Sequence, residues 1–104
     1  MIPNVGTSSV TIFGETILTR FAKNHAESRA PLARFLTLAR AASWEHFPAL
    51  KETLPTADLG KSTGKLIVDI SGNKYRLIAA INFDTQELNI ERILTHREYN
   101  REKL

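Results

Sequence analysis

Four side chains in the last third of the chain are of types that act on phosphates and protons: Arg76, Arg92, His96 and Tyr99. The planar guanidinium of arginine meets two phosphate oxygens at once. Imidazole and phenol groups can transfer protons. Cleavage of RNA without a metal needs a group that takes the proton from a 2′-hydroxyl, cations that stabilise the phosphorane, and a group that protonates the departing 5′-oxygen. These residues supply such chemistry within a short stretch of chain.

Alternating apolar residues predict the strands that position these side chains. The alternation covers residues 65–70, 74–83 and 88–94, with turn residues at 71–73 and 84–86. Three strands joined by tight turns form an antiparallel meander. This part of the chain is therefore predicted to be a β-sheet.

The alternation also predicts which side of the sheet each candidate occupies. One side of the middle strand is strongly apolar and should face the helices; its members are Tyr75, Leu77, Ala79, Ile81 and Phe83. Arg76 belongs to the other set and should point outward. Arg92 shares its side with two apolar residues, so the pattern leaves its face open. His96 and Tyr99 lie three residues apart on a predicted helical turn and can point the same way.

The first half of the chain is predicted to be mainly helical. The spacing indicates a short strand at 10–13, a helix from Glu15 to about Asn24, a longest helix near 28–42, a short helical turn between Trp44 and Leu54, and a surface connection at 56–64. Ser28 is the expected N-cap of the longest helix, and Thr95 with Glu98 forms a capping-box pattern for a short last helix. The order predicts an α+β domain with an N-terminal strand and two helices on an antiparallel meander.

Composition limits the class of protein. The chain has 104 residues, 42% of them hydrophobic, which predicts a single domain over 1–104 with loose residues at 1–9. The net charge of +3 is compatible with nucleic acid as a partner. There is no cysteine, no apolar run long enough to span a membrane and no signal-peptide pattern. We therefore expect a cytoplasmic protein.

Each candidate side chain also has a purely structural interpretation. The arginines could be solvated surface charges, His96 could simply begin a helix, and Tyr99 could be a core aromatic with its hydroxyl at the surface. His25 and His46 are interpreted as structural. No spacing of His, Asp and Glu predicts a zinc site, and the sequence has neither a Gly-rich phosphate loop nor a nucleophile elbow.

Two segments carry a family resemblance. Residues 70–83, ISGNKYRLIAAINF, resemble the hairpin of the HigB toxin family, and residues 90–100, IERILTHREYN, resemble its closing motif. Upstream, Trp44 and the LPTAD segment at 54–58 lie where such toxins have a Trp and an Ala-Asp pair. The resemblance extends from about Val10 to Asn100.

The resemblance implies a RelE/ParE-like fold and a toxin of a toxin–antitoxin pair. The implied activity is that of an mRNA interferase, an endoribonuclease that cleaves messenger in the ribosomal A site with no metal or cofactor. The implied partners are mRNA, the ribosome and a helix-turn-helix antitoxin of the HigA type. Contact with operator DNA is expected only through the antitoxin complex, and no contact with a membrane is expected.

The resemblance also assigns roles to individual residues. Arg76 and Arg92 match basic positions of the family's motifs and are the candidates for phosphate stabilisation. His96 and Tyr99 match its His and Tyr and are candidates for proton transfer or base stacking. Two further cations are candidates for binding RNA: Lys74 and Arg97.

One position departs from the family pattern, which has Asp where this chain has Asn100. A carboxylate that orients the histidine would be lost here, whereas a helix cap would be served equally well by Asn. A degenerate toxin that retains only antitoxin and operator binding is therefore one alternative. A second is a non-enzymatic ParE-like inhibitor of a protein such as a topoisomerase, because the same fold would serve it.

Overall fold

A computed structural model describes residues 9–102 of the chain. The elements, in chain order, are β1 (Thr11–Phe13), α1 (Glu15–Asn24), a 3-10 turn (Ala26–Ser28), α2 (Arg29–Ala41), α3 (Phe47–Thr53), β2 (Asp58–Leu59), β3 (Leu66–Ile70), β4 (Tyr75–Asn82), β5 (Glu87–Thr95) and α4 (His96–Asn100). The predicted α+β class and the predicted order of helices and strands are confirmed. The prediction of loose residues at 1–9 lies, except for residue 9, outside the described range.

The strands form one five-stranded sheet in the order β1-β5-β4-β3-β2. The predicted meander is confirmed as β3, β4 and β5, which pair antiparallel in sequence. β1 pairs parallel with β5, so the sheet is mixed rather than purely antiparallel. The predicted surface connection at 56–64 contains the two-residue strand β2, which pairs with the start of β3. Local alternation encodes neither pairing, because β1 and β5 are separated by all the other strands and three helices, and β2 has only two residues.

The main core lies between the helices and one face of the sheet. Tyr75, Leu77 and Ala79 of β4 are buried there, as predicted. Opposite them, the helices and the segment after α2 contribute buried apolar side chains: Leu18, Leu32, Phe35, Ala39, Trp44 and Leu50. Burial of a large apolar side chain stabilises a fold by about 1.5–3 kcal/mol. This core packs against the helix-facing side of β4 and fixes the position of the strand.

The start of α2 differs from the predicted capping arrangement. Ser28 precedes the helix, but its side chain makes no capping hydrogen bond. Its hydroxyl instead donates to the main-chain oxygen of His25 at 2.6 Å, and the residue is fully buried. The preceding 3-10 turn places Ser28 in the core, which is why it satisfies a local carbonyl rather than the helix end.

The opposite face of the sheet, here called the outer face, has a small apolar cluster of its own. Ile67, Ile78 and Leu94 are buried on it, and Tyr99 of α4 packs against them. α4 begins with the predicted capping box: the Thr95 side chain accepts from the Glu98 main chain, and the Glu98 side chain accepts from the Thr95 main chain. Capping fixes the direction in which the short helix leaves β5. α4 consequently folds over the outer face.

A β-bulge in β5 determines which face Arg92 occupies. Ile78 pairs with Arg92, but the next residue, Ala79, pairs with Ile90, so Glu91 is the extra residue. The bulge reverses the alternation along β5. Ile90 therefore lies in the main core, and Arg92 lies on the outer face opposite Ile78. The question that alternation alone left open is settled by this register shift.

Candidate active site

Arg76 is held on the outer face by contacts that include Asp69, Asn73 and Tyr99. Its Nε lies 3.1 Å from Oδ1 of Asp69, the residue directly opposite on β3. Its Nη1 donates to the main-chain oxygen of Asn73 at 2.9 Å. Its guanidinium carbon lies 5.0 Å from the centroid of the Tyr99 ring, within cation–π range. With only 13% of the side chain exposed, the guanidinium is oriented before any ligand arrives.

Tyr99 connects α4 to this arginine. One part of its ring packs on the small apolar cluster and another contacts Arg76. Among residues 9–102, its hydroxyl has no hydrogen-bond partner. Tyr99 therefore fits both of its interpretations. Its ring packs as part of the structure, while its hydroxyl is available to a ligand.

Arg92 lies on the same face as Arg76, one strand away. Leu94 is opposite Arg76 and Arg92 is opposite Ile78, so the two arginines are diagonal neighbours across β4 and β5. Diagonal positions of an antiparallel pair are typically about 7–8 Å apart, within reach of two arginines that share one phosphodiester. Arg92 is more exposed than Arg76, at 43%, and its Nη2 lies 2.7 Å from Oε1 of Glu102.

His96 and Lys74 lie at the end of β4 and β5 that adjoins the turn between β3 and β4. The His96 main-chain N–H donates to the Lys74 main-chain oxygen at 2.9 Å, which extends the β4–β5 ladder by one residue. Both side chains are exposed, and the His96 imidazole has no hydrogen-bond partner within residues 9–102. The imidazole is thus accessible to a ligand at the end of the sheet nearest Arg76.

Arg97 is exposed on α4 but is not brought to the Arg76–Tyr99 contact. Successive residues of an α-helix are rotated by about 100°, so Arg97 projects from the far side of the turn relative to Tyr99. Of the six predicted site residues, Arg97 is the one that the helix directs away from this contact.

Sequence reasoning missed the acidic residues that hold the two arginines, Asp69 and Glu102. Asp69 could have been predicted from the hairpin register. Counting pairs outward from the turn at 71–74 places Ile70 opposite Tyr75 and Asp69 opposite Arg76. Glu102 lies ten residues beyond Arg92, after a helix, and no local pattern relates the two. Each carboxylate partly neutralises the charge of the arginine that it contacts.

A second polar cluster lies behind the same end of the sheet. The Tyr75 hydroxyl donates to the Glu27 carboxylate. That hydrogen bond lowers the pKa of Glu27 and raises the pKa of Tyr75. The rings of Phe21 and His25 stack at 4.0 Å, and both meet Tyr75 edge-on. The structural interpretation of His25 is consistent with these contacts, which join the end of α1 to β4.

The residues that the structure describes contain neither a cluster of metal-ligating side chains nor a helix that could span a membrane. Within residues 9–102, no three His, Cys, Asp or Glu side chains are grouped so that they could hold a metal ion. No helix in that range combines the length and the apolar character that crossing a bilayer requires.

The fold and the outer face together define a class of protein. A mixed five-stranded sheet with helices on one face and a short C-terminal helix on the other is compatible with a RelE-like fold. The sequence model for the HigB toxin, described as the RelE-like toxic component of a toxin–antitoxin system, matches residues 28–102. The match covers most of the chain, so this protein belongs to the HigB family of RelE-like toxins. No curated protein sequence shows significant similarity to it. Membership implies a cognate antitoxin as its partner.

Proposed function

We propose that this toxin is an endoribonuclease that cleaves messenger RNA and does so without a metal ion, using the outer face of its sheet. The observation that carries the proposal is the position of Arg76 and Arg92 as diagonal neighbours on that face, with Tyr99 against Arg76. RelE-like toxins generally cleave mRNA, which supports the same activity here. The substrate would be messenger RNA bound to the ribosome. The protein would therefore act in the cytoplasm.

Arg76 and Arg92 have complementary roles in this proposal. The Asp69 and Asn73 contacts engage the Nε and Nη1 sides of Arg76, so its Nη2 faces the ligand. This preorganised donor stabilises the charge that develops on the phosphorane. Arg92 is more exposed and exchanges its ion pair with Glu102 for a second contact to phosphate. Exposed pairs of this kind are worth about 0–1 kcal/mol, so a phosphate displaces Glu102 at little cost.

Proton transfer is assigned to His96 and Tyr99. Both are carried by the first turn of α4 and lie three residues apart, on one side of that turn. One group accepts the proton of the 2′-hydroxyl and the other protonates the 5′-oxygen. Lys74 and Arg97 contribute contacts to the RNA backbone on either side. Asn100 is compatible with this scheme because no proton transfer is assigned to that position.

The antitoxin in this proposal is a helix-turn-helix protein of the HigA type. It would neutralise the toxin and bring the pair to operator DNA, to which the toxin itself makes no contact. Co-purification of the two chains, followed by operator binding with and without the toxin, tests this part.

The activity is tested by inducing the toxin without its antitoxin and mapping the 5′ ends of cellular messengers. The proposal predicts growth arrest together with new 5′ ends in phase with ribosomes. An Arg76→Ala, Arg92→Ala, His96→Ala variant should abolish both, while an Arg20→Ala variant on the exposed surface of α1 should abolish neither. Growth arrest with intact messengers and damaged DNA would instead indicate the topoisomerase-directed alternative. Full toxicity of the triple variant would refute the assigned site.

A further inference from the structure

The edge of the sheet at β3 is incompletely covered. β2 pairs with β3 only at Leu66 and Ile67. The Gly60 main-chain N–H donates to the Lys65 oxygen at 2.8 Å, so the main-chain groups of residues 65, 67 and 69 face that edge. Within residues 9–102, no main-chain hydrogen bond reaches Asp69 from this side. Asp69 therefore presents an unpaired N–H and C=O.

An apolar groove of about 460 Å³ runs along this open edge. One wall is α2, with Pro31, Arg34 and Leu38, and the other is the segment at 53–56 with residues 68–72 of β3 and its turn. Leu38 is one of the few large apolar side chains that are exposed, at 40%. A groove that combines apolar walls with an open strand edge suits an extended peptide, which would hydrogen-bond to the edge and insert alternate side chains.

The groove also contains one cation without a partner. The Arg34 guanidinium is exposed and has neither a hydrogen-bond nor an ion-pair partner within residues 9–102. The acidic residue of the groove lining, Asp69, is already paired with Arg76. The free charge in the groove is therefore positive, and a carboxylate on the occupant would complement it.

We propose that this groove binds an extended segment of the antitoxin. The segment would add a strand beside Asp69, fill the apolar walls near Leu38 and place an acidic side chain at Arg34. Three residues of extended chain, about 10 Å, are enough to cover the open edge from residue 68 to residue 70. The inference rests on the antitoxin partner that family membership implies and not on the proposed nuclease activity. The groove lies on the helix side of the sheet edge, away from Arg92 on the outer face.

The proposal is tested with the full-length toxin and its full-length cognate antitoxin. Arg34→Glu and Leu38→Asp should each weaken the complex at least about tenfold, as measured by the Kd. Two control variants match these changes at exposed positions elsewhere: Arg20→Glu on α1, and Phe13→Asp on β1 at the opposite edge of the sheet. Both controls should leave the Kd unchanged. Groove variants that bind as tightly as wild type, or controls that weaken binding equally, would overturn the proposal.

Amide hydrogen exchange tests strand addition directly. The Asp69 amide should exchange rapidly in the free toxin and become protected in the complex. Equal exchange in both states would refute an added strand. Protection of the Asp69 amide in the free toxin would also contradict the proposal, because the edge would then already be covered. The covering chain would be a second copy if the free toxin is dimeric, or another segment of the same chain if it is monomeric. Because the groove variants should still cleave messenger, loss of antitoxin binding and loss of the proposed activity are distinguishable.

Discussion

Replacing Arg76 by alanine gives the sharpest separation between a catalytic and a structural role for this residue. Two of its nitrogens are already engaged by Asp69 and by the Asn73 oxygen, which leaves Nη2 for the phosphate. Removing one preorganised donor to a developing oxyanion typically costs about 10²–10³ in rate. We therefore expect Arg76→Ala to slow cleavage by that factor.

The effect on stability should be much smaller. Arg76→Ala leaves the Asp69 carboxylate without its cation, but that side chain is 28% exposed, so water screens the charge. The cost should be about 1 kcal/mol, well below the total stability of about 5–15 kcal/mol that is usual for domains. The variant should remain folded, so a loss of rate would report on chemistry.

A single-turnover time course on ribosomes programmed with a defined messenger measures the rate, and urea unfolding measures the stability. Arg76→Lys should cleave at a rate between those of wild type and Arg76→Ala. An ammonium group retains the positive charge but lacks the planar guanidinium that can contact Asp69 and a phosphate at the same time. Arg20→Ala is the matched control. A folded Arg76→Ala variant that cleaves within about twofold of wild type would refute the assigned role of the guanidinium.

The other predictions concern the elements that support the site. Gly14→Ala should lower the free energy of unfolding, as measured in urea, by at least about 1–3 kcal/mol. Gly14 has φ +91°, and an added Cβ would lie 2.6 Å from the Ile90 main-chain oxygen. Thr95→Ala should cost about 1 kcal/mol by the same measurement, since it removes the cap of α4. The Tyr75 bond lowers the pKa of Glu27, so it stabilises the fold above the ordinary value of 4.5 and this contribution is lost below it. The difference in stability between wild type and Tyr75→Phe should therefore shrink as the pH falls from 4.5 through the lower pKa that Glu27 has in the folded protein. Urea unfolding at a series of pH values measures this difference.

The sequence predicted the parts of the fold that depend on local patterns. Alternation identified the meander and the inward side of β4, and the capping residues Thr95 and Glu98 identified the start of α4. Pairings between distant segments were not predictable in this way. The parallel contact of β1 with β5 joins Thr11 to Glu87 across the helices, and nothing in either strand specifies that partner.

The candidate site shows the same division. Arg76 was predicted to point outward because it follows an apolar residue in a regular strand, and it does so. The face of Arg92 depends on the bulge at Glu91, and alternation has no means of signalling one extra residue in a strand. The burial of Ile78 could not be predicted from alternation, because an isoleucine between outward-facing residues is covered only once α4 folds back over it.

The central claim, that the outer face promotes attack of a 2′-hydroxyl on its neighbouring phosphate, is tested most directly by changing that hydroxyl. Programmed ribosomes would carry either an all-ribose messenger or one with a single 2′-deoxy nucleotide at the mapped cleavage position. The account predicts that the first is cut, with a 2′,3′-cyclic phosphate on the upstream product, and that the second is resistant at that position. Equal cleavage of both messengers, or cleavage of neither by folded toxin, would contradict it.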